Sequence, residues 1–203
     1  MSTENRSGFF FHSTYTNRTA AWRKIRNCIA GDEKIKEAGV EYLPRPTGLS
    51  DDEYANYKLR AVFYPVADAT VRGLVGASFN VDPITVLPDN LKKRKENMTP
   101  DGLSINMAIK QFVSELLSIG RAGLLVDLPS EATTEPPYMV VFKAEDITNW
   151  ERKYIGDKQI YTRVVIREST DANSGGNDEV RFLELSLVDG VYTVQEHFAK
   201  FTG

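Results

Sequence analysis

The hydrophobic period of the chain changes once, and that change sets what it can fold into. Through residue 119 apolar side chains recur three and four positions apart, the spacing of helices with one buried face. From residue 160 onward they alternate, the spacing of half-buried strands. Ile160, Thr162, Val164 and Ile166 interleave with Tyr161, Arg163, Val165 and Arg167, and two further runs, Val180 to Val188 and Val191 to Phe198, flank Asp189-Gly190. An Asp-Gly pair suits the positive-φ positions of a tight turn, so these two runs are predicted to form an antiparallel hairpin. Helices first and strands after predict an α+β fold, N-terminal helices followed by a mostly antiparallel, meandering sheet.

Within the helical part, Trp22, Ile25, Cys28 or Ile29, and Ile35 predict a helix over 19–38, broken by Gly31 and ended at Gly39. Pro44 and Pro46 forbid its continuation. Ser50, with Glu53 three positions later and Asp51 and Asp52 between, is a capping box. The helix it opens carries Tyr54, Tyr57 and Ala61 and extends toward Phe63 and Tyr64 before Pro65. Val66, Ala69, Thr70, Gly73, Leu74 and Ala77 resume the period, with Gly73 and Gly76 expected to admit a close neighbour. Residues 80–103 read as a loop containing the basic run Lys92, Lys93, Arg94 and Lys95.

Ile105, Ile109, Phe112, Leu116 and Ile119 give the clearest helix, over 104–119, stopped by Gly120. The run from Gly123 to Pro129 reads as a buried strand, and with that helix it is the expected centre of the core. Tyr138 to Phe142 is a short strand, Ala144 to Ile147 one helical turn, and Ser174 to Asn177 a flexible connection. Residues 1–20 read as a polar arm with an aromatic island of Phe9, Phe10, Phe11 and Tyr15. It is expected to dock through those rings, because adjacent phenylalanines are costly to leave in water. The expected organisation is an arm over 1–20 and one α+β domain over 21–203, helical over 21–119 and sheet-rich over 123–198.

At 41% hydrophobic and 26% charged residues, the chain is neither collagenous, mucin-like nor wholly disordered. A net charge of −3 argues against a dedicated nucleic-acid binder while leaving room for a local basic patch. The opening MSTENRSG lacks a signal pattern, and no apolar run approaches the ~20 residues that span a bilayer, so no membrane partner is expected. Cys28, the single cysteine, lies in the apolar phase of its helix and reads as core filler. His12 and His197 have no ligand partners at metal-binding spacing, so no metal is expected. Gly120-Arg-Ala-Gly123 lacks the Lys-Ser/Thr ending of a phosphate loop, and Gly73-Leu-Val-Gly76 lies inside a helical pattern. Glu145 and Asp146 beside Trp150 read as turn or capping acids, and Asp127 as a partner of Arg121 or of a backbone amide. No cofactor and no catalytic residue is expected. The abundant aromatic residues in polar stretches suit an interface better than a pocket.

Six stretches together resemble a family of tailed-bacteriophage portal-like proteins. They are Trp22-Arg-Lys-Ile-Arg-Asn-Cys-Ile-Ala-Gly31, Tyr42-Leu-Pro-Arg-Pro46, Asp52-Glu-Tyr-Ala-Asn-Tyr-Lys-Leu-Arg-Ala-Val-Phe-Tyr64, Thr70-Val-Arg-Gly-Leu-Val-Gly76, Gly120-Arg-Ala-Gly-Leu-Leu-Val-Asp127 and Ile147-Thr-Asn-Trp150. Their order is similar to the family's across residues 20–200. The resemblance implies the wing portion of a portal, since the stem, clip and crown of relatives have no counterpart before Gly203. It implies a structural virion protein rather than an enzyme, a homo-oligomeric ring, dodecameric as a rule, at the capsid vertex. Double-stranded DNA would pass non-specifically, and capsid, terminase and neck or tail proteins would be partners. The protein would reside in the host cytoplasm during assembly and then in the virion. Lys92, Lys93, Arg94, Lys95, Phe9, Phe10, Phe11 and Tyr15 are the candidate DNA or subunit contacts. Two alternatives stay open: a head–tail adaptor or capsid-associated protein without a channel of its own, and a small enzyme whose acids, such as Asp127 and Asp146, converge only in the fold.

Overall fold

The computed structural model describes residues 9–128, 136–168 and 179–200. Met1 to Gly8 of the arm, Pro129, the connection Ser174 to Asn177 and the last three residues lie outside them. The fold is α+β, helices first and a mostly antiparallel sheet after. It divides into two compact units, Ala20–Val141, and Met1–Thr19 together with Phe142–Gly203.

α1 (Ser13–Ala30), which belongs to the helical unit from Ala20 on, starts six residues before the expected Thr19. Gly31, at φ 95, ends it, and a separate short helix, α2 (Asp32–Glu37), follows. A positive φ at that position costs any residue with a Cβ, and the break falls at the expected Gly31, leaving two helices. α3 (Asp51–Arg60) opens on the predicted capping box, with the Ser50 hydroxyl accepting from the Glu53 N–H and the Glu53 carboxylate accepting from the Ser50 N–H. It stops before Phe63 and Tyr64, with Ala61 already extended (ψ 136). α4 (Val66–Ser78) follows Pro65 as its period predicted. Its Gly73 and Gly76, however, face open space, with nothing within 4 Å of an added Cβ.

α5 (Ile105–Ile119) is capped by the Ser104 hydroxyl, which accepts from the Met107 N–H, and ends on Gly120 in the left-handed conformation (φ 80). Ser104→Ala is expected to lower the stability of this unit by about 1 kcal/mol in urea unfolding, because it strands one of the helix's first N–H groups. The buried cluster holds Met98, Ile105 and Met139, with Leu87 and Ile109 against it. Two strands, β1 (Ala122–Asp127) and β2 (Tyr138–Lys143), pair alone. The expectation of a buried β1 is corrected: Leu124, Val126 and Leu128 are exposed. A two-stranded sheet packed by one helix has one covered face, and the second stays in water.

The sheet unit is a four-stranded meander of β3 (Ile147–Ile155), β4 (Lys158–Glu168), β5 (Glu179–Val188) and β6 (Val191–Lys200), antiparallel throughout. The predicted hairpin turns on Asp189 (φ 50) and Gly190 (φ 82), both left-handed as the tight turn requires. β3 was not predicted; the expected helical turn at Ala144 to Ile147 is instead a short turn feeding this strand. Register shifts at Ile147/Asn149 and Glu151/Arg152 break its alternation. Its buried Thr148 and Asn149 are polar, which hides the inward face from a hydrophobicity reading.

Candidate functional site

The aromatic arm packs on one face of this sheet. Phe10, only 4% exposed, joins Val165, Phe182 and Ala199 in the unit's core, with Phe9, Phe11 and Val180 against them. Its ring lies 4.5 Å from that of Phe182. The arm's backbone is held as firmly as its rings. The Phe9 carbonyl accepts from the Asn149 side-chain amide (2.7 Å) and from the Arg163 guanidinium (3.0 Å), and the His12 N–H donates to the Thr148 carbonyl (2.9 Å). The Tyr15 hydroxyl donates to the Glu145 carbonyl, and the His12 ring stacks on Trp150 at 4.2 Å. These contacts explain the early start of α1: His12 Nδ1 accepts from the Thr14 N–H at its first turn, and Tyr15 ties that turn to the sheet. Phe10 and Tyr15 are thus buried within the chain itself, as an arm docked through its rings requires.

Beneath the arm lies a polar network that sequence reasoning missed. Arg163 on β4, Glu184 on β5 and His197 on β6 point to the same face as Val165 and Phe182. Arg163 Nε donates to Glu184 Oε1 at 2.5 Å, His197 Nε2 lies 2.8 Å from Glu184 Oε2, and the Ser186 hydroxyl donates to Oε1. The Arg163 guanidinium also sits 4.1 Å over the Phe9 ring, which His197 meets edge-on. Burial works against the charge on Glu184, yet the hydrogen bonds from Arg163 and His197 outweigh it and hold the carboxyl below its usual range. Every polar atom of the carboxylate faces a partner, so the network fastens the arm and offers no open position for a reacting group. A base and an acid at inward-facing, near-facing positions of neighbouring strands were its only signal in the sequence.

Within the basic run Lys92–Arg94 form a 3₁₀ turn, capped at its C-terminal end by Lys95. At three residues per turn Lys92, Lys93 and Arg94 point in different directions around the axis, so the run presents no single basic face. Lys92 pairs with Asp89 at 2.6 Å, Lys93 is exposed, and Arg94 donates to the carbonyls of Asn97 and Pro136. The acids weighed in the sequence are engaged locally. Asp127 accepts from the Leu128 N–H and the Tyr138 hydroxyl. Burial pushes the Asp146 carboxyl up, partly offset by the Lys143 N–H that donates to it. In the helical unit a cleft of about 380 Å³ is bordered by Cys28, Lys24 and Phe63, and its Asp32 is tied to Lys36 at 2.7 Å. Among the described residues no group of three His, Cys, Asp or Glu side chains is placed to hold a metal ion, and no helix is long and apolar enough to cross a membrane.

The least satisfied surface is apolar. Around α4, the links before and after the helix expose Val62 (87%), Tyr64, Val81, Ile84 (95%) and Val86 (88%), and the helix itself buries only Val75. Monomeric proteins rarely leave so many large apolar side chains in one segment in water. No protein-family profile and no curated protein sequence matches the chain.

Proposed function

We propose that this chain is a structural virion protein of the portal-like kind, one copy in a ring at the capsid vertex through which DNA passes and to which neck or tail proteins attach. The observation that carries the reading is the uncovered apolar surface of α4 and its flanking links, together with the open positions at Gly73 and Gly76. Such a surface asks for cover by another chain, and identical copies arranged head to tail supply it around a closed ring. The six ordered sequence stretches lend the portal-like assignment, with the α+β portion in the place of a wing. In this role the arm's rings serve the internal strength of the sheet unit, and the work is mechanical rather than catalytic.

Sedimentation and electron microscopy of the purified chain test it. The expected result is a ring with a central channel. Ile84→Glu combined with Val86→Glu should give monomers with an unchanged circular dichroism spectrum, since both side chains already lie in solvent in the single chain. A wild-type chain that stays monomeric both alone and in virions overturns the proposal. Density at the vertex lying outside the channel wall would overturn it in favour of an adaptor.

A further inference from the structure

The β3–β4 hairpin outruns the sheet it belongs to. β3 pairs with β4 out to Ile155 opposite Lys158, whereas β5 pairs with β4 only from Arg163 onward. Residues 152–161 are thus a two-stranded ribbon, and all but Ile160 are exposed. The ribbon carries Arg152, Lys153 and Lys158 against one acid, Asp157, in a chain whose net charge is −3. None of these three cations makes an ion pair among the described residues, while Lys92 of the basic run is already tied to Asp89.

Residues opposite each other in the register share a face. One face places Arg152 opposite Tyr161 and Tyr154 opposite Gln159. The Arg152 guanidinium sits 5.6 Å from the Tyr161 ring and donates to Gln159 Oε1, and Tyr154 is 74% exposed. The other face places Lys153 opposite Ile160 and Lys158 opposite Ile155.

We infer that this ribbon is a nucleic-acid contact that takes the phosphate backbone of duplex DNA without reading its sequence. A two-stranded ribbon fits the width of the major groove, and cations on both of its faces reach the phosphates on either side. The Arg152 guanidinium over the Tyr161 ring adds a flat, positively charged element to that surface. The site rests on the portal-like reading only for the presence of duplex DNA, and ring formation is scored separately, so the two fail separately.

The test is binding of a fluorescent random-sequence DNA duplex to the full chain across a salt series, with oligomeric state measured in parallel by sedimentation. Wild type is expected to bind at low salt. The variant Arg152→Gln, Lys153→Gln, Lys158→Gln should lose affinity and flatten the log–log salt slope by about 3, roughly 1 per phosphate contact removed. Lys92→Gln with Lys93→Gln should leave both unchanged. Absence of wild-type binding at low salt, a triple variant that binds like wild type, or a loss that follows Lys92 and Lys93 instead overturns the assignment. So does a triple variant whose oligomeric state changes while its DNA binding does not, which would give the ribbon to a protein partner. Unchanged circular dichroism of the triple variant certifies its fold, and Tyr154→Ala, keeping all three cations, should preserve the salt slope.

Discussion

Phe10→Ala is expected to lower the stability of the sheet unit by about 3–5 kcal/mol, the cost of emptying a buried aromatic site that its neighbours cannot refill. Phe10 is the arm's deepest anchor, in contact with Phe182 and clustered with Val165 and Ala199. Urea unfolding followed by hydrogen exchange at the β4–β6 amides reads the loss directly. Phe11→Ala should cost less, because Phe11 is only partly buried. Equal and small losses at both positions would mean that the arm is not part of the unit's core. The physical point is that a four-stranded sheet of this length has too little apolar cover on its own. Residues far away in sequence, 9 to 15, supply the missing layer on one face.

Glu184→Gln is the second large effect, expected to cost roughly 3–5 kcal/mol, the usual penalty for removing one partner of a buried ion pair. Arg163, whose side chain is 12% exposed, would keep its charge while its remaining partners are the Phe9 carbonyl and a more exposed Glu151. Replacing both members, Arg163→Leu with Glu184→Leu, should recover much of the loss, since a buried pair is costly mainly when broken. The pH dependence has a definite sign. The folded state holds the Glu184 carboxyl below its usual value, so its contribution is complete above the ordinary glutamate range. It is lost as the pH falls through the folded value. Acid unfolding of Glu184→Gln should accordingly show a shallower dependence of stability on pH in that window, and an unchanged slope would remove Glu184 as its source.

Much of the fold could be read from local chemistry. The capping box at Ser50, the stop at Gly120 and the Asp189-Gly190 turn are each decided by residues within a few positions, so their outcome follows from the sequence nearby. α5 follows from an apolar stripe strong enough to outweigh context. β3 was illegible for an equally physical reason. Its register shifts interrupt the alternation, and its inward residues Thr148 and Asn149 are polar because they serve hydrogen bonds to distant backbone, the Val165 and Phe9 carbonyls. A polar residue that is buried for a distant partner carries no local mark of that burial. The same holds for Glu184, whose partners lie on two other strands.

The sequence alone determined the order of elements, the α+β class and the hairpin, since period, caps and turn residues act over one helical turn or one strand pair. Only the tertiary structure decided where those elements are covered. It turned the arm's rings inward onto the sheet, left β1 half exposed and α4 with only Val75 buried, and left the cations of the β3–β4 ribbon without ion pairs among the described residues. Burial depends on which surfaces meet across more than a hundred residues, and the period of a segment says that it has an apolar face without saying what will cover it.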